Sequence, residues 1–343
     1  MKSKYKYLLL FFALAIVGYF LKANNPSKSK INGINFVASV NEMPSHCIAA
    51  LSNVSANYVA FNPFAYSMSG ETYVKYDNPR QWWGEKTQGT ITCMQYAKDH
   101  QIDVMIKPHV WVRKEGWPEH FKVDNEEEWV EWEKNYSEYI LTFAKIAEQH
   151  HSKIFCVGTE FGNAVKERPA FWGKLIDDVR KVYSGKLTYA ANWDSYQDFP
   201  HWYKLDYIGI DAYFPLSESE TPSVEELKEA WKKPFSEIDA FQTKMHKPIL
   251  FTEYGYRSID KTAWKQWELP DDWRYDGEDN PEAQLNAYKA LYQTFWDKPW
   301  FAGGFLWKWY DEHAESGGEN NNDYTPQNKP VQFLINKTYQ ENN

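Results

Sequence analysis

The sequence is short of cysteine, of basic charge and of long apolar runs, and each shortage removes a class of protein. Its three cysteines, Cys47, Cys93 and Cys156, are odd in number and fit no metal-binding spacing. A disulfide-stapled scaffold is therefore excluded. Cys156 lies in an apolar strand and Cys93 on a helix face, so buried free thiols are the expected state. Lys and Arg total 38 against 47 Asp and Glu, a formal net charge of -9, and no basic stripe runs along any segment. This argues against a nucleic-acid surface. No G-x-G-x-x-G or phosphate-binding loop follows an apolar run, and no H-x-H or H-E-x-x-H spacing is present. An open nucleotide-binding sheet and a metal centre lose their sequence support, and no cofactor is implied.

The longest apolar run, Tyr7 to Leu21, falls short of the roughly 20 residues of a comfortable membrane span. It follows Lys2, Lys4 and Lys6 and precedes polar Asn24 to Lys30. That order is the order of an export signal or short signal anchor. Residues 1–30 are thus expected to be a signal or anchor plus linker. The protein would be secreted, periplasmic or held at a membrane through residues 7–21. No linker or low-complexity tract interrupts residues 31–343, which read as one domain. Nothing in the sequence sets the oligomeric state.

What the chain does hold is aromatic side chains and a repeating rhythm. It carries 17 Trp and 24 Tyr, which serve either an aromatic core or a cleft where flat rings stack on sugars. Apolar runs at 31–38, 57–63, 103–109, 153–159, 187–193, 207–213, 248–256 and 302–307 read as buried strands. Helical periodicity or helix signals fill most of the gaps, at 45–51, 90–100, 126–150, 169–183, 224–245, 281–296 and 331–339. A kink is expected at Pro234. Residues 194–205 are tight for a full helix. Eight strands alternating with helices predict an α/β fold, a single closed (β/α)8 barrel.

In such barrels the chemistry sits at the C-terminal ends of the strands. Those ends carry Asn35, Asn62, Lys107, His109, Trp111, Glu160, Asn192, Trp193, Asp211, Tyr213, Glu253, Tyr254, Trp307 and Trp309. A ring of polar and aromatic residues closing apolar strands points to one concave site lined with indoles. Glu160 and Glu253 are the sharpest pair. Each ends a buried strand, where a charge is costly unless paired or used. Glycoside hydrolysis needs two flanking carboxyl groups, one protonated and one ionised. Glu160 is assigned the general acid/base role and Glu253 the nucleophile; the competing reading is that each pairs with a Lys or Arg as scaffold.

Tyr213 is placed to hydrogen-bond Glu253. Lys107 and His109 either bind sugar hydroxyls or tune Glu160, and His109 is equally a histidine satisfied inside the rim. Asp211 is divided between sugar contact and structural partner. Trp307 is a candidate stacking platform. Trp82, Trp83, Trp264 and Trp267 lie in long loops that either extend a cleft or pack on the surface.

Six segments carry a resemblance. They are Gly33-Ile-Asn-Phe36, Val157-Gly-Thr-Glu-Phe161, Ile208-Gly-Ile-Asp-Ala-Tyr-Phe-Pro215, Phe251-Thr-Glu-Tyr-Gly-Tyr-Arg-Ser258, Gly304-Phe-Leu-Trp-Lys-Trp309 and Tyr324-Thr-Pro-Gln-Asn-Lys-Pro330. In order and spacing the set resembles glycoside hydrolase family 113, of the clan of (β/α)8 retaining glycosidases. The resemblance implies action on β-1,4-mannans such as glucomannan or galactomannan, with Glu160 matching the acid/base and Glu253 the nucleophile. Many members of the clan place Asn directly before the acid/base; here Thr159 stands there, as in the family. The other readings are a related β-glycosidase acting on another β-glycan or on short manno-oligosaccharides, and a non-catalytic glycan-binding barrel.

Overall fold

The computed structural model describes residues 29–268 and 278–343. The N-terminal run expected to direct export lies outside the described residues. Among the described residues, no helix is long and apolar enough to cross a membrane.

Eight parallel strands close a barrel. They are β1 (Ile31–Phe36), β2 (Tyr58–Phe61), β4 (Asp103–Ile106), β6 (Ile154–Thr159), β7 (Lys186–Asn192), β8 (Ile208–Asp211), β9 (Ile249–Tyr254) and β10 (Phe301–Trp309), with β10 pairing back onto β1. Every run read as a strand is one, and the (β/α)8 architecture follows. Ile31, Ala60, Met105, Ile154, Leu250 and Phe305 fill the barrel interior, while a far larger cluster packs the outer strand faces against the helices. Burial on both faces is why these strands read as continuous apolar runs rather than as alternating ones.

Two prolines reshape the rim. Pro63 follows β2 by two residues and Pro108 does the same after β4, and proline cannot donate to a ladder. Each barrel strand stops there, and the chain starts again as β3 (Phe64–Ser67) and β5 (His109–Val112), which pair in parallel as a small second sheet. His109 therefore opens β5 instead of closing a barrel strand.

The helices are α1 (His46–Ala49), α2 (Thr87–Asp99), α3 (Glu126–Gln149), α4 (Gly162–Glu167), α5 (Pro169–Arg180), α6 (Val224–Met245), α7 (Pro281–Phe295) and α8 (Pro330–Glu341). Helix α6 runs unbroken through Pro234. Between β7 and β8 two 3-10 turns, Tyr196–Asp198 and Trp202–Lys204, stand where a helix would. Trp202 fills that space, buried and 4.9 Å from the Phe199 ring.

Helix α3 shows how local signals place an element. Asn125 caps it by accepting from the Glu128 amide at 3.0 Å, and Glu126, Glu127 and Glu128 put negative charge at its positive end. Its buried face carries Trp129, Trp132, Tyr136, Ile140 and Phe143 at helical spacing. Asn125→Ala should lower the unfolding free energy by about 1 kcal/mol, read as a shifted denaturant midpoint at unchanged slope.

Three barrel strands carry an extra residue relative to a neighbour. Cys156 pairs with Thr188 but Thr159 with Ala190, so β6 gains one residue on β7. Ile210 pairs with Phe251 but Asp211 with Glu253, so β9 gains one on β8; it gains one on β10 as well, between Phe251 and Tyr254. Asn35 pairs with Trp307 but Phe36 with Trp309, so β10 gains one on β1. Such bulges re-aim side chains, and all three precede or contain residues of the barrel mouth.

Candidate active site

Strand β6 leads directly into Glu160, whose backbone is left-handed, with φ 54°. A non-glycine residue there is uncommon and must be held by its surroundings. The Glu160 amide donates to the Ala190 carbonyl at 2.9 Å, and the Phe161 amide donates to the Tyr189 hydroxyl at 2.8 Å. Phe161 is buried among Trp132, Tyr136 and Trp172, with ring centroids 5.1–5.7 Å away. This aromatic wall fixes the turn that presents Glu160. Thr159 is buried, and its hydroxyl donates to the Pro108 carbonyl at 3.4 Å.

Across the mouth, the bulge in β9 turns both Thr252 and Glu253 inward. The Thr252 hydroxyl donates to Asp211 Oδ1 at 2.7 Å, and Glu253 meets Lys107 Nζ, Tyr213 and His109. Lys107 is fully buried and bridges two carboxylates: it donates to Glu253 Oε1 and lies 3.4 Å from Asp211 Oδ1. The Tyr213 hydroxyl donates to Glu253 Oε2 at 2.8 Å. Both Glu253 oxygens are thus claimed by donors that fix their direction. His109 Nε2 stands 3.7 Å from Glu253 Oε1, with no hydrogen-bond partner among the described residues.

The electrostatics single out Glu160. Burial, reinforced by the charges of Asp211 and Glu253, holds the Glu160 carboxyl well above the usual carboxylate range. That setting favours the protonated form of Glu160. Burial pulls the Lys107 ammonium down, but Asp211 and Glu253 more than offset this and leave it firmly charged. Asp211 is pushed up to about 7 by burial, against the pull of Lys107. Burial and the Lys107 charge keep His109 a neutral imidazole. Burial and the Glu253 charge hold the Tyr213 hydroxyl protonated, as a donor must be. Among the described residues, no three His, Cys, Asp or Glu side chains gather as a metal-ligand set.

The structure sorts the other residues read from the strand ends. Trp307 is half-buried and stacks on the His109 ring, 6.3 Å away at 17°; the Trp307–Lys308 peptide is cis. Asn192 lines the same small cavity as Glu160, and its Oδ1 accepts from the Trp193 amide at 2.9 Å. Trp193 stacks on the 54 % exposed Trp267, with ring centroids 5.7 Å apart. Trp111 stands on β5, 48 % exposed. Asn62 is buried at the end of β2.

The readings of Tyr254, Asn35 and Trp309 change, and those of Lys107 and Asp211 narrow to one of their alternatives. Tyr254 does not face the mouth: it is fully buried on the outer face, hydrogen-bonded to Tyr292 and to Tyr339 at 2.6 Å. Asn35 is sealed inside the barrel, donating to the carbonyls of Thr252 and Phe305. Lys107 is buried against Glu253 and Asp211, from where its charge also draws the Glu160 carboxyl down, the tuning role read for it, and Asp211, fully buried, is the structural partner of its two alternatives. Trp309 turns into the core. One residue escaped the strand-end reading because it lies on a loop: Glu119, in the same cavity as Glu160.

Comparison with known proteins places the fold and the family. The chain is similar to the β-mannanase AaManA from Alicyclobacillus acidocaldarius, solved in complex with ManMIm, at 22% identity and a TM-score of 0.78, covering 92% of this chain and 98% of that one. It is similar to a β-1,4-mannanase of family 113 at 25% identity and a TM-score of 0.76, over 91% of this chain and 99% of that one. A β-glucuronidase from Faecalibacterium prausnitzii shares the barrel at 14% identity and a TM-score of 0.61, over 91% of this chain and 49% of that one. No curated protein sequence matches. The sequence model of Glycoside Hydrolase Family 113 matches residues 40–329. With that match over most of its length, the chain belongs to glycoside hydrolase family 113.

Proposed function

We propose that the protein cleaves β-1,4-mannosidic bonds in mannan, glucomannan or galactomannan, with retention, using Glu160 as acid/base and Glu253 as nucleophile. The observation that carries this reading is the unequal setting of the two glutamates. Glu160 holds its proton in a buried, negative site, while Glu253 is aimed by an ammonium and a hydroxyl. In the first step Glu253 attacks the anomeric carbon as Glu160 protonates the departing oxygen. In the second, Glu160 takes a proton from water, which displaces Glu253 and restores both groups. Trp307 supplies an aromatic face beside the reacting centre, and exposed Trp111 and Trp267, with half-buried Trp193 stacked on Trp267, are candidate platforms for flanking sugars.

Mannan specificity rests on the family and on the β-mannanases that share the fold. The basic and apolar N-terminal sequence supports export to where polysaccharide is found.

The test is product release from glucomannan, galactomannan, β-1,4-glucan and xylan, with products sized. Short oligosaccharides from the mannans alone are expected. Release from glucan or xylan instead would keep the mechanism and overturn the substrate. No release from any of them, by folded protein, would favour a glycan-binding role.

A further inference from the structure

Glu119 sits on the loop between β5 and α3, outside the barrel strands, and it reaches the turn that presents Glu160. Its backbone carbonyl accepts from the Asn163 amide at 2.9 Å. Its carboxylate lies directly over Gly162: a Cβ at that position would overlap both carboxylate oxygens. The Gly162 amide favours the ionised form of Glu119, and Oε2 is buried with no hydrogen-bond partner among the described residues. Glu119 and Glu160 line one small cavity, together with Asn192 and Ser195.

We propose that Glu119 is a positioning residue for the acid/base: main chain and side chain clamp the Phe161–Asn163 turn, and its carboxylate adds negative charge beside Glu160. The role rests on Glu160 acting as acid/base. Gly162 is the other half of the clamp, since any side chain there would expel Glu119. The clamp explains how a left-handed residue is held at the end of a strand: Ala190 and Tyr189 grip the turn from β7, and Glu119 grips it from the opposite loop.

The charges around the pair set the direction of the effect. Glu160 faces Asp211, Glu253 and Glu119, which favour its protonated form, and Lys107, which opposes them. Burial, with the charge of Asp194, pushes the Glu119 carboxyl above its usual range, while His120, Lys166 and the Gly162 amide draw it down towards the ionised form. An ionised Glu119 disfavours a second negative charge on Glu160. Removing it must therefore lower the pKa of Glu160 and move the alkaline limb of activity, where the acid loses its proton, to lower pH.

Two variants test this, through pH profiles of kcat/KM on an aryl β-mannoside and on manno-oligosaccharides. Glu119→Gln keeps an acceptor over Gly162 but not the charge. Its alkaline limb should fall by about half a pH unit while kcat at the optimum stays within about twofold. Glu119→Ala loses both; it should show the same shift and a further loss of about tenfold in kcat, with KM little changed. Unshifted limbs in both variants would overturn the proposal. So would parallel losses of kcat and thermal stability in Gln and Ala alike, which is the mark of a packing role. Glu160→Ala, run beside them, separates the two failures. If its loss is rescued by azide on the aryl substrate, the acid/base reading stands and an unshifted limb counts against Glu119 alone. If Glu160→Ala keeps the wild-type profile, both readings fall.

Discussion

Glu253→Gln should lower kcat by about 10⁴-fold or more while leaving the barrel folded. Gln preserves the shape of the side chain, and its one carbonyl oxygen can still accept from the Lys107 ammonium in place of Oε1, while its NH2 replaces the oxygen that accepts from Tyr213. What is lost is the atom that bonds to the anomeric carbon, and no neighbour can replace it. Asp211 is fully buried and engaged by Thr252 and Lys107, and Glu160 carries its proton on the other side of the mouth. The outcome is checked with initial rates on manno-oligosaccharides and with circular dichroism for the fold. A smaller variant, Glu253→Gly, adds a positive signal. Azide entering the vacated space should release a mannosyl azide of inverted configuration, because one displacement then replaces two. A Gln variant within tenfold of wild type would remove Glu253 from the nucleophile role.

The strands were legible because a parallel barrel buries both faces of each one. The runs Ile249-Leu-Phe251 and Ile154-Phe-Cys-Val157 are apolar without alternation, which neither a half-exposed strand nor a surface helix would show. The rim was less legible. β3 and β5 are four residues each and follow their barrel strands after a single proline break, so the sequence reads straight through them. Residues 194–205 looked too short for a helix, and they are: buried Trp202 and two 3-10 turns close that gap.

Within the site, residue identity was readable and direction was not. Leu250 packs inside the barrel and Phe251 outside. Strict alternation from there would aim Tyr254 at the mouth and Glu253 at the helices. The extra residue in β9 reverses both, so that Glu253 meets Lys107 and Tyr213 while Tyr254 joins the Tyr292–Tyr339 layer. Nothing in the local sequence announces a bulge. Asn35 was misplaced for a related reason: a polar residue at a strand end satisfies the carbonyls of neighbouring strands as readily as it meets a ligand. Glu119 stayed hidden because its role depends on a loop folding over Gly162, a contact between segments far apart in the chain.

Lys107→Met should cost about 3–5 kcal/mol of stability near pH 8, because it strips the cation from a buried pair of carboxylates. Met matches the length of the stem, so the loss reflects charge more than packing. The deficit should depend on pH in a definite sense. Asp211 already binds its proton more tightly folded than unfolded, at about 7, through burial. Without Lys107 its folded pKa rises further, and so does that of Glu160, which Lys107 also draws down. A carboxyl whose folded pKa is raised adds stability at low pH and loses it as pH climbs through that value. The variant should therefore lie closest to wild type near pH 5 and furthest below it near pH 8, as read by denaturant midpoints at both pH values. Activity should fall together with stability at the higher pH, because Glu253 loses the ammonium that orients it. An equal deficit at both pH values would mean that Lys107 acts as filler, and that the charge balance beneath Glu253 is held by other groups.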